Sequence, residues 1–355
     1  MRGMAGGPTR LPSERSIVRM SRRRTGAARV KATIYSIAKE LGISASTVSR
    51  AFSRPDMVNN EVRERILATA DAQGFELNRA ARGLATGRTG LVGVVVLDIT
   101  NPFFPPLVRA IEHAANEADA SVLLLDAESG GRDATEQLKR LSSQVDGLIV
   151  ASPRIPTNAL KEAIGNTPTV LVNRTISGLP SVVCDNTAAL RQAADHLVQL
   201  GHQKFLLLRG PSGSWAATRR TAAVRDWAKT APDDVELAEL GPFEAAFETG
   251  QEAAQRIADT DATAIIAFDD FLACGVIGGL ADLGISVPHD RSVVGCDDVL
   301  LARTVTPQLT TVTAPFDDLG RRAVAMLTDV TRGETPGDLK LPGSFVARGT
   351  TADAA

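Results

Sequence analysis

The chain has 355 residues, 44% hydrophobic and 23% charged, with a formal net charge of −2. That length predicts two or three domains, and no apolar run reaches the roughly 18 residues that a membrane helix needs. The Arg-rich start lacks the apolar stretch of a secretory signal, and Cys184, Cys274 and Cys296 are odd in number, far apart and in no metal-ligand spacing, so they read as reduced core residues of a cytoplasmic protein.

The net charge hides an asymmetry. Residues 1–90 carry 17 Lys and Arg against 7 Asp and Glu, a net of +10, and the remainder carries −12. A basic head on an acidic body suits a polyanion partner for the head. Most of the excess lies in residues 1–32, which are Gly/Arg/Ser-rich without periodicity and read as a disordered basic tail. Two readings of the tail stay open: non-specific phosphate contacts, or a dispensable segment with Met20 as the start.

Residues 33–77 read as three short helices. Ile34, Ile37, Ala38 and Leu41 recur at the spacing of one apolar helix face. Gly42 supplies the left-handed backbone that ends that helix, and Ser44 is a good N-cap for the next. In the second helix Val48 and Phe52 point inward, while Ala45, Ser46, Ser49 and Arg50 point outward. Asn59 caps the third helix, and Val62, Ile66, Ala70 and Phe75 close a small core. Two amphipathic helices joined by Gly42-Ile43-Ser44 form a helix-turn-helix, which sets its second helix into the DNA major groove. The expected DNA-binding residues are Thr33, Tyr35, Ser44, Ala45, Ser46, Thr47, Ser49, Arg50 and Asn59. Arg50 can contact a guanine bidentately, worth ~1–3 kcal/mol of discrimination, or it can pair with a phosphate or a nearby Glu.

The order of helix-turn-helix, third helix, the run Asn78-Arg79-Ala80-Ala81-Arg82-Gly83-Leu84-Ala85 and then a strand resembles the LacI/GalR family of bacterial transcriptional regulators, over Thr33 to Thr350. The resemblance implies that residues 78–90 are a hinge helix and linker that fold on operator DNA. Leu84 matches the leucine that wedges open a base step in the minor groove, with Asn78, Ala81 and Ala85 beside it. Such a wedge costs a few kcal/mol of unstacking, offset by the contacts that a bent duplex allows. Leu77 departs from the family's usual proline.

From Leu91 strands and helices alternate. Residues 91–97, 121–125, 147–151, 169–172, 204–208 and 264–268 are continuous apolar runs, as expected of strands buried on both faces of parallel sheets. Helices are expected over 103–118, 187–200, 270–283 and 317–329. This is an α/β, doubly wound pattern, long enough for two lobes with a cleft between them. The resemblance implies a two-lobed, periplasmic-binding-protein-like effector and dimerisation domain over 91–350. Its three crossovers are expected near 190, 316 and 342, and 351–355 reads as a tail.

Such sheets bind ligands beyond the carboxyl ends of their strands. Phe103 and Phe104 follow the first strand, Trp215 and Arg220 follow 204–208, Asp269 and Asp270 follow 264–268, and Asp297 follows a strand at 292–296. Asp185 and Phe243 complete the effector-binding candidates. The resemblance implies that Arg220 and Asp297 hold ligand oxygens, and it sets Asp269 where the family usually has a neutral Asn. Asp185 and Asp270 as helix caps, and Phe103 as core, are open alternatives. Carboxylates, an arginine and aromatic faces suit a polyhydroxylated ligand, a sugar or sugar derivative.

Enzyme motifs are absent: there is no GxxxxGK[ST], GxSxG or HExxH, and the glycines around Gly275, Gly278 and Gly279 are too loosely spaced for a dinucleotide fingerprint. His202, in a helix-to-strand connection, reads as structural. A solute-binding protein of a transporter would share the body but not the helix-turn-helix. The expectation is a cytoplasmic, ligand-responsive transcriptional regulator, usually a repressor in the family, with no metal and no cofactor. It would bind a pseudo-palindromic operator as a homodimer, because two-fold protein symmetry requires two-fold DNA symmetry. No leucine heptad follows Thr350, so no tetramerising helix is expected.

Overall fold

A computed structural model describes residues 32–53, 55–75, 88–127 and 132–354. The chain divides into two compact units, with the division between Asn78 and Arg79. The tail expected over 1–32, save Ala32, and the hinge residues Asn78, Ala81, Leu84 and Ala85 lie outside the described residues.

The first unit is small because its helices are short and each buries only a narrow stripe. Helix α1 (Ile34–Leu41) opens with a reciprocal cap: Thr33 Oγ1 accepts from the Ser36 amide at 3.2 Å, and Ser36 Oγ accepts from the Thr33 amide at 3.0 Å. It closes on Gly42 at φ +64°, a left-handed backbone that glycine adopts without strain. Helix α2 (Ala45–Ser53) starts where Ser44 Oγ accepts from the Thr47 amide at 3.1 Å. A 3-10 turn (Pro55–Met57) leads to α3 (Asn60–Ala72), capped by Asn59 Oδ1 on the Glu61 amide at 2.9 Å. Ile37, Val48 and Ile66, one from each helix, are fully buried at the centre. The rings of Phe52 and Phe75 meet at 5.7 Å.

The second unit holds two parallel sheets. In the first lobe the order is β11-β5-β4-β3-β1-β2, formed by β1 (Leu91–Val96), β2 (Ser121–Asp126), β3 (Gly147–Ala151), β4 (Thr169–Val172), β5 (Ser181–Asp185) and β11 (Leu339–Pro342). Helices α4 (Phe104–Glu117) and α12 (Phe316–Thr331) cover one face, and α5 (Arg132–Ser142) and α6 (Thr157–Ile164) cover the other. Val94 and Val96 of β1 enter the first core and Val95 enters the second. An uninterrupted apolar run is what a strand covered on both faces requires.

The second lobe has the order β7-β6-β8-β9, from β6 (Lys204–Leu208), β7 (Glu236–Leu240), β8 (Ala264–Ala267) and β9 (Ser292–Val294). Helices α7 (Thr187–Gln199) and α8 (Trp215–Ala228) pack on one face. Helices α9 (Phe247–Ala258) and α10 (Asp270–Asp282) pack on the other. A short helix α11 (Leu300–Thr304) and an antiparallel pair, β10 (Thr311–Val312) with β12 (Phe345–Val346), complete it.

Three crossovers join the lobes, at 185–187, 313–316 and 342–345. The first comes earlier than the expected residue 190, because Ala189 and Leu190 already pack in the core of the second lobe. The crossovers lie side by side: the Gly343 amide donates to the Asp185 carbonyl at 3.2 Å, and the Thr313 amide donates to the Ser344 carbonyl at 2.8 Å. A Cβ on Gly343 would sit 2.5 Å from the Thr313 carbonyl oxygen, so only glycine allows this approach.

Two further expectations need adjustment, at β2 and at residues 351–354. Strand β2 is an edge strand paired only to β1, so Leu124 is 45% exposed rather than buried on both faces. Strands β5, β7 and β11 carry weaker sequence signals; β7 reads ELAEL, half polar, because it too is an edge. Residues 351–354 are docked rather than a tail. The Ala352 amide donates to Ser292 Oγ at 3.1 Å, the Ala354 amide donates to the Leu200 carbonyl at 2.7 Å, and His202 lies within 3.1 Å of Thr263 Oγ1, Ser292 Oγ and the Ala352 carbonyl. The glycines of α10 form a helix crossing, with Gly275 and Gly279 against the α9 backbone and Gly250 of α9 against α10. All three cysteines are free and buried, as expected.

A Cβ on Gly275 would lie 2.0 Å from the Phe247 carbonyl oxygen, whereas one on Gly278 meets nothing nearer than 3.5 Å. Gly275→Ala should therefore destabilise the unit by about 1–3 kcal/mol or more through overpacking. Gly278→Ala should leave it unchanged or stabilise it by up to about 1 kcal/mol through helix propensity. Denaturant melts of the two variants check this contrast.

Candidate functional site

The DNA-reading candidates sort by exposure. Ser46 and Arg50 stand exposed on one side of α2, and Tyr35 on α1 is 72% exposed. Ser44 Oγ also lies 2.8 Å from Ser46 Oγ and from Thr47 Oγ1, so these hydroxyls form a cluster at the start of α2. Thr33 and Asn59 are N-caps, and Ser49 is half-buried. Ala45 corrects the expectation of an outward residue: it is half-buried and packs against the small core, because the first turn of α2 tucks under the turn at Ile43.

In the second unit the loops after β1, β3, β4, β6, β8 and β9 converge between the lobes. A small cavity of about 60 Å³ is lined by Asn101, Phe103, Phe104, Ser152, Arg154, Asn173, Ser214, Arg220, Phe268, Asp269 and Asp297, among others. It adjoins a larger one of about 280 Å³ lined by Asn173, Asp185, Asn186, Trp215, Arg219, Arg220 and Lys340, among others. Asn173, Ala216 and Arg220 belong to both.

Arg220 and Asp297 are the centre. Both are buried, and both guanidinium nitrogens of Arg220 face the Asp297 carboxylate, with Nη1 also donating to the Phe268 carbonyl at 2.8 Å. The guanidinium lies 4.9 Å from the centre of the Phe268 ring, a cation–π distance. Asp297 sits at φ +111°, a conformation costing about 1–3 kcal/mol for a residue with a side chain. It is held there because its amide donates to the Val312 carbonyl and its carbonyl accepts from the Ala314 amide. Those partners flank the second crossover, so the ion pair is tied directly to the chain that joins the lobes. Burial pushes the Asp297 carboxyl upward, and Arg220 opposes that.

Asp269 is the N-cap of α10, its Oδ1 accepting from the Leu272 amide at 2.8 Å. Burial, then the charge of Asp297, push its carboxyl up to about 7. Asp270 is fully buried and lines neither cavity. It corrects the expectation of a ligand-binding residue: Oδ1 accepts from Thr311 Oγ1 at 2.5 Å and Oδ2 from the Val299 amide at 2.9 Å, so it staples two loops from inside. Burial pushes it up to about 8. Phe243 is a second correction. Its ring is buried in the second lobe's core with the Arg256 guanidinium at 5.4 Å, because its own backbone turns back onto Arg209.

Phe103 and Phe104 are both core and cavity lining. They meet edge-to-face at 5.3 Å, and Phe103 also packs on Phe316 of α12. Asp185 precedes Asn186, the N-cap of α7, its Oδ1 accepts from the Thr187 amide at 3.1 Å, and it lines the larger cavity. Trp215 lines the larger cavity only, its indole N–H donating across the lobes to Thr175 Oγ1 at 3.2 Å. Two further contacts bridge the lobes: Arg154 to Glu244 at 2.7 Å and Asn101 Nδ2 to the Ala245 carbonyl at 3.3 Å.

Asn173, Ser152, Arg154 and Phe268 were not among the sequence candidates. The first three follow the apolar runs 169–172 and 147–151, so the carboxyl-end rule applied to every strand would have found them. Lys340 stands on β11, whose short LKLP run gives no such signal.

Asp269 and Asp270 bind protons in the folded state at a pH where the unfolded chain has released them. Their contribution to stability therefore falls as pH rises from about 4 and levels off above about 8. Asp269→Asn keeps the cap and removes its share of this loss. Its advantage over the parent should grow by on the order of 2 kcal/mol between pH 5 and pH 8, several degrees in Tm. Parallel thermal melts at the two pH values read it, and a constant difference would refute the assignment.

Comparisons with known proteins agree with this geometry. Residues 33–78 match the model of bacterial regulatory proteins of the lacI family, and residues 194–351 match that of a periplasmic binding protein-like domain. The HTH-type transcriptional regulator DegA of Bacillus subtilis is 30% identical over 333 residues, covering 91% of this chain and 99% of DegA. The lac repressor dimer bound to operator and the anti-inducer ONPF superposes with a TM-score of 0.79 at 28% identity, covering 91% of this chain and 99% of that one. A LacI family transcriptional regulator from Enterococcus faecium with bound ribose superposes with a TM-score of 0.67 at 29% identity, covering 75% of this chain and all of that one. A helix-turn-helix followed by a two-lobed α/β body, related to these proteins over nearly its whole described length, makes this chain a member of the lacI family of bacterial regulatory proteins, DNA-binding transcriptional regulators rather than enzymes.

Proposed function

We propose that the chain is a repressor controlled by a polyhydroxylated metabolite that binds between the lobes, and that it works as a homodimer on a pseudo-palindromic operator. The buried Arg220–Asp297 pair carries this reading. It lines the interlobe cavity and is hydrogen-bonded through its backbone to a crossover, so a ligand that contacts it acts on the segment along which the lobes move. Carboxylates, amides and the guanidinium offer hydroxyls their partners, and Phe103, Phe104 and Trp215 cover apolar ring faces. The ribose in the Enterococcus faecium relative and the anti-inducer in the lac repressor support a sugar-like effector. Ligand and operator are then linked by a coupling free energy of typically about 1–3 kcal/mol, equal in both directions.

On the DNA side, Ser46 and Arg50 of α2 face base edges, and Tyr35 and the α2 cap hydroxyls meet the backbone. Leu84, on sequence grounds, is the minor-groove wedge. The operator comes from in vitro selection with the purified chain, and a sequence with two-fold symmetry is expected. At fixed salt, Arg50→Ala should weaken binding to it by about 1–3 kcal/mol, some 5- to 150-fold, with an unchanged melting curve because the side chain is exposed. Fluorescence anisotropy with labelled operator measures this. The same assay with pentoses, hexoses, polyols and nucleosides should find one class that shifts operator affinity by about 5- to 150-fold. Operator binding that no compound of these classes alters would reject the effector assignment.

A further inference from the structure

We propose that the effector of this chain carries a basic amine, and that Asp269 is the residue that receives it. The inference rests on the reading of the interlobe cavity as the effector site and narrows its ligand.

The charges around the small cavity do not balance. Two cations line it, and each already has its own carboxylate: Arg220 is engaged by both nitrogens with Asp297, and Arg154 pairs with Glu244 at 2.7 Å. Asp269 lines the same cavity at 4% exposure with no cation of its own. Its hydrogen-bond partners are the Leu272 amide and the neutral side chain of Asn101. Asp297 faces it and adds negative charge, which Arg220 only partly offsets. Against a neutral hydroxyl the carboxyl either keeps its proton or ionises while buried, which is costly. An ammonium group supplies the counter-charge and a charge-assisted hydrogen bond.

The surroundings suit a cation in a second way. Phe103 and Phe104 line the same small cavity, and aromatic faces attract ammonium groups. The cavity, about 60 Å³, takes a small substituent such as an amine with the carbon that bears it. The adjoining cavity of about 280 Å³, reached past Asn173 and Arg220, takes the body of the ligand against Asp185, Asn186, Trp215 and Arg219. Burial first, then the charge of Asp297, push Asp269 up to about 7, and an ammonium group beside it would favour the ionised form.

Matched pairs test the proposal on the full chain: D-glucosamine with D-glucose, D-galactosamine with D-galactose, and 1-amino-1-deoxysorbitol with sorbitol. Affinities come from thermal shift and calorimetry at pH 7, for the parent and for Asp269→Asn, which keeps the helix cap. In the parent the amine of at least one pair should bind tenfold or more tighter than its neutral partner. In Asp269→Asn that preference should vanish or reverse. An amine preference that survives in the variant removes Asp269 from the role. Neutral members binding as tightly as the amines, or alone, overturn the amine assignment and leave the polyol-binding cavity standing. Binding by none of the six compounds overturns the amine assignment and the polyol reading together.

Discussion

The effector unit is organised around one buried ion pair. Arg220 comes from α8 and Asp297 from the end of the β9 loop, so the pair joins two parts of the second lobe at the surface that faces the first. A buried pair of this kind gains little net stability over apolar residues of similar volume, because both charges lose their water. Its value is positional. It holds a strained backbone at Asp297, and through the Val312 and Ala314 hydrogen bonds it fixes where the chain leaves one lobe for the other. Any group that competes for the guanidinium or the carboxylate perturbs that exit.

The three crossovers carry this local chemistry to the junction of the lobes. They are hydrogen-bonded to one another, and Gly343 lets two of them touch. The lobes elsewhere meet through a few polar bridges, Arg154 with Glu244, Trp215 with Thr175, and Asn101 with Ala245 and Asp269. Such bridges are weak individually. Each lobe has its own cores on both faces of its sheet, so each is packed as a separate body.

The helix-turn-helix follows a different economy. Its six buried residues form a core that only just closes three short helices, and caps at Thr33, Ser44 and Asn59 carry a large share of the local order. Small hydroxyl residues and one arginine are left for the outward face of α2. That division, capping residues at the turns and Arg50 at mid-helix, is why so short a segment can both fold and read DNA.

Local rules were enough for much of this. Gly42 and Ser44 announce the turn by backbone and capping chemistry, the apolar runs announce strands covered on both faces, and the residues after those runs include Arg220, Asp269 and Asp297. These features depend on neighbours within a few positions, so the sequence by itself determined the fold class, the DNA-reading unit and the charged centre of the cavity. Tertiary structure decided what depends on partners far along the chain. Asp269 and Asp270 are adjacent and alike in sequence, yet only Asp269 lines the cavity, because Thr311 and Val299 claim Asp270 from loops some 30 to 40 residues away. Phe243 turns into the core while Asn173 and Arg154 come to the cleft. Edge strands such as β7 and β11 form because a neighbouring strand offers hydrogen bonds, and no periodicity of their own foretells that. Burial and pairing are properties of the assembled chain, and so is the raised carboxyl that they leave at Asp269.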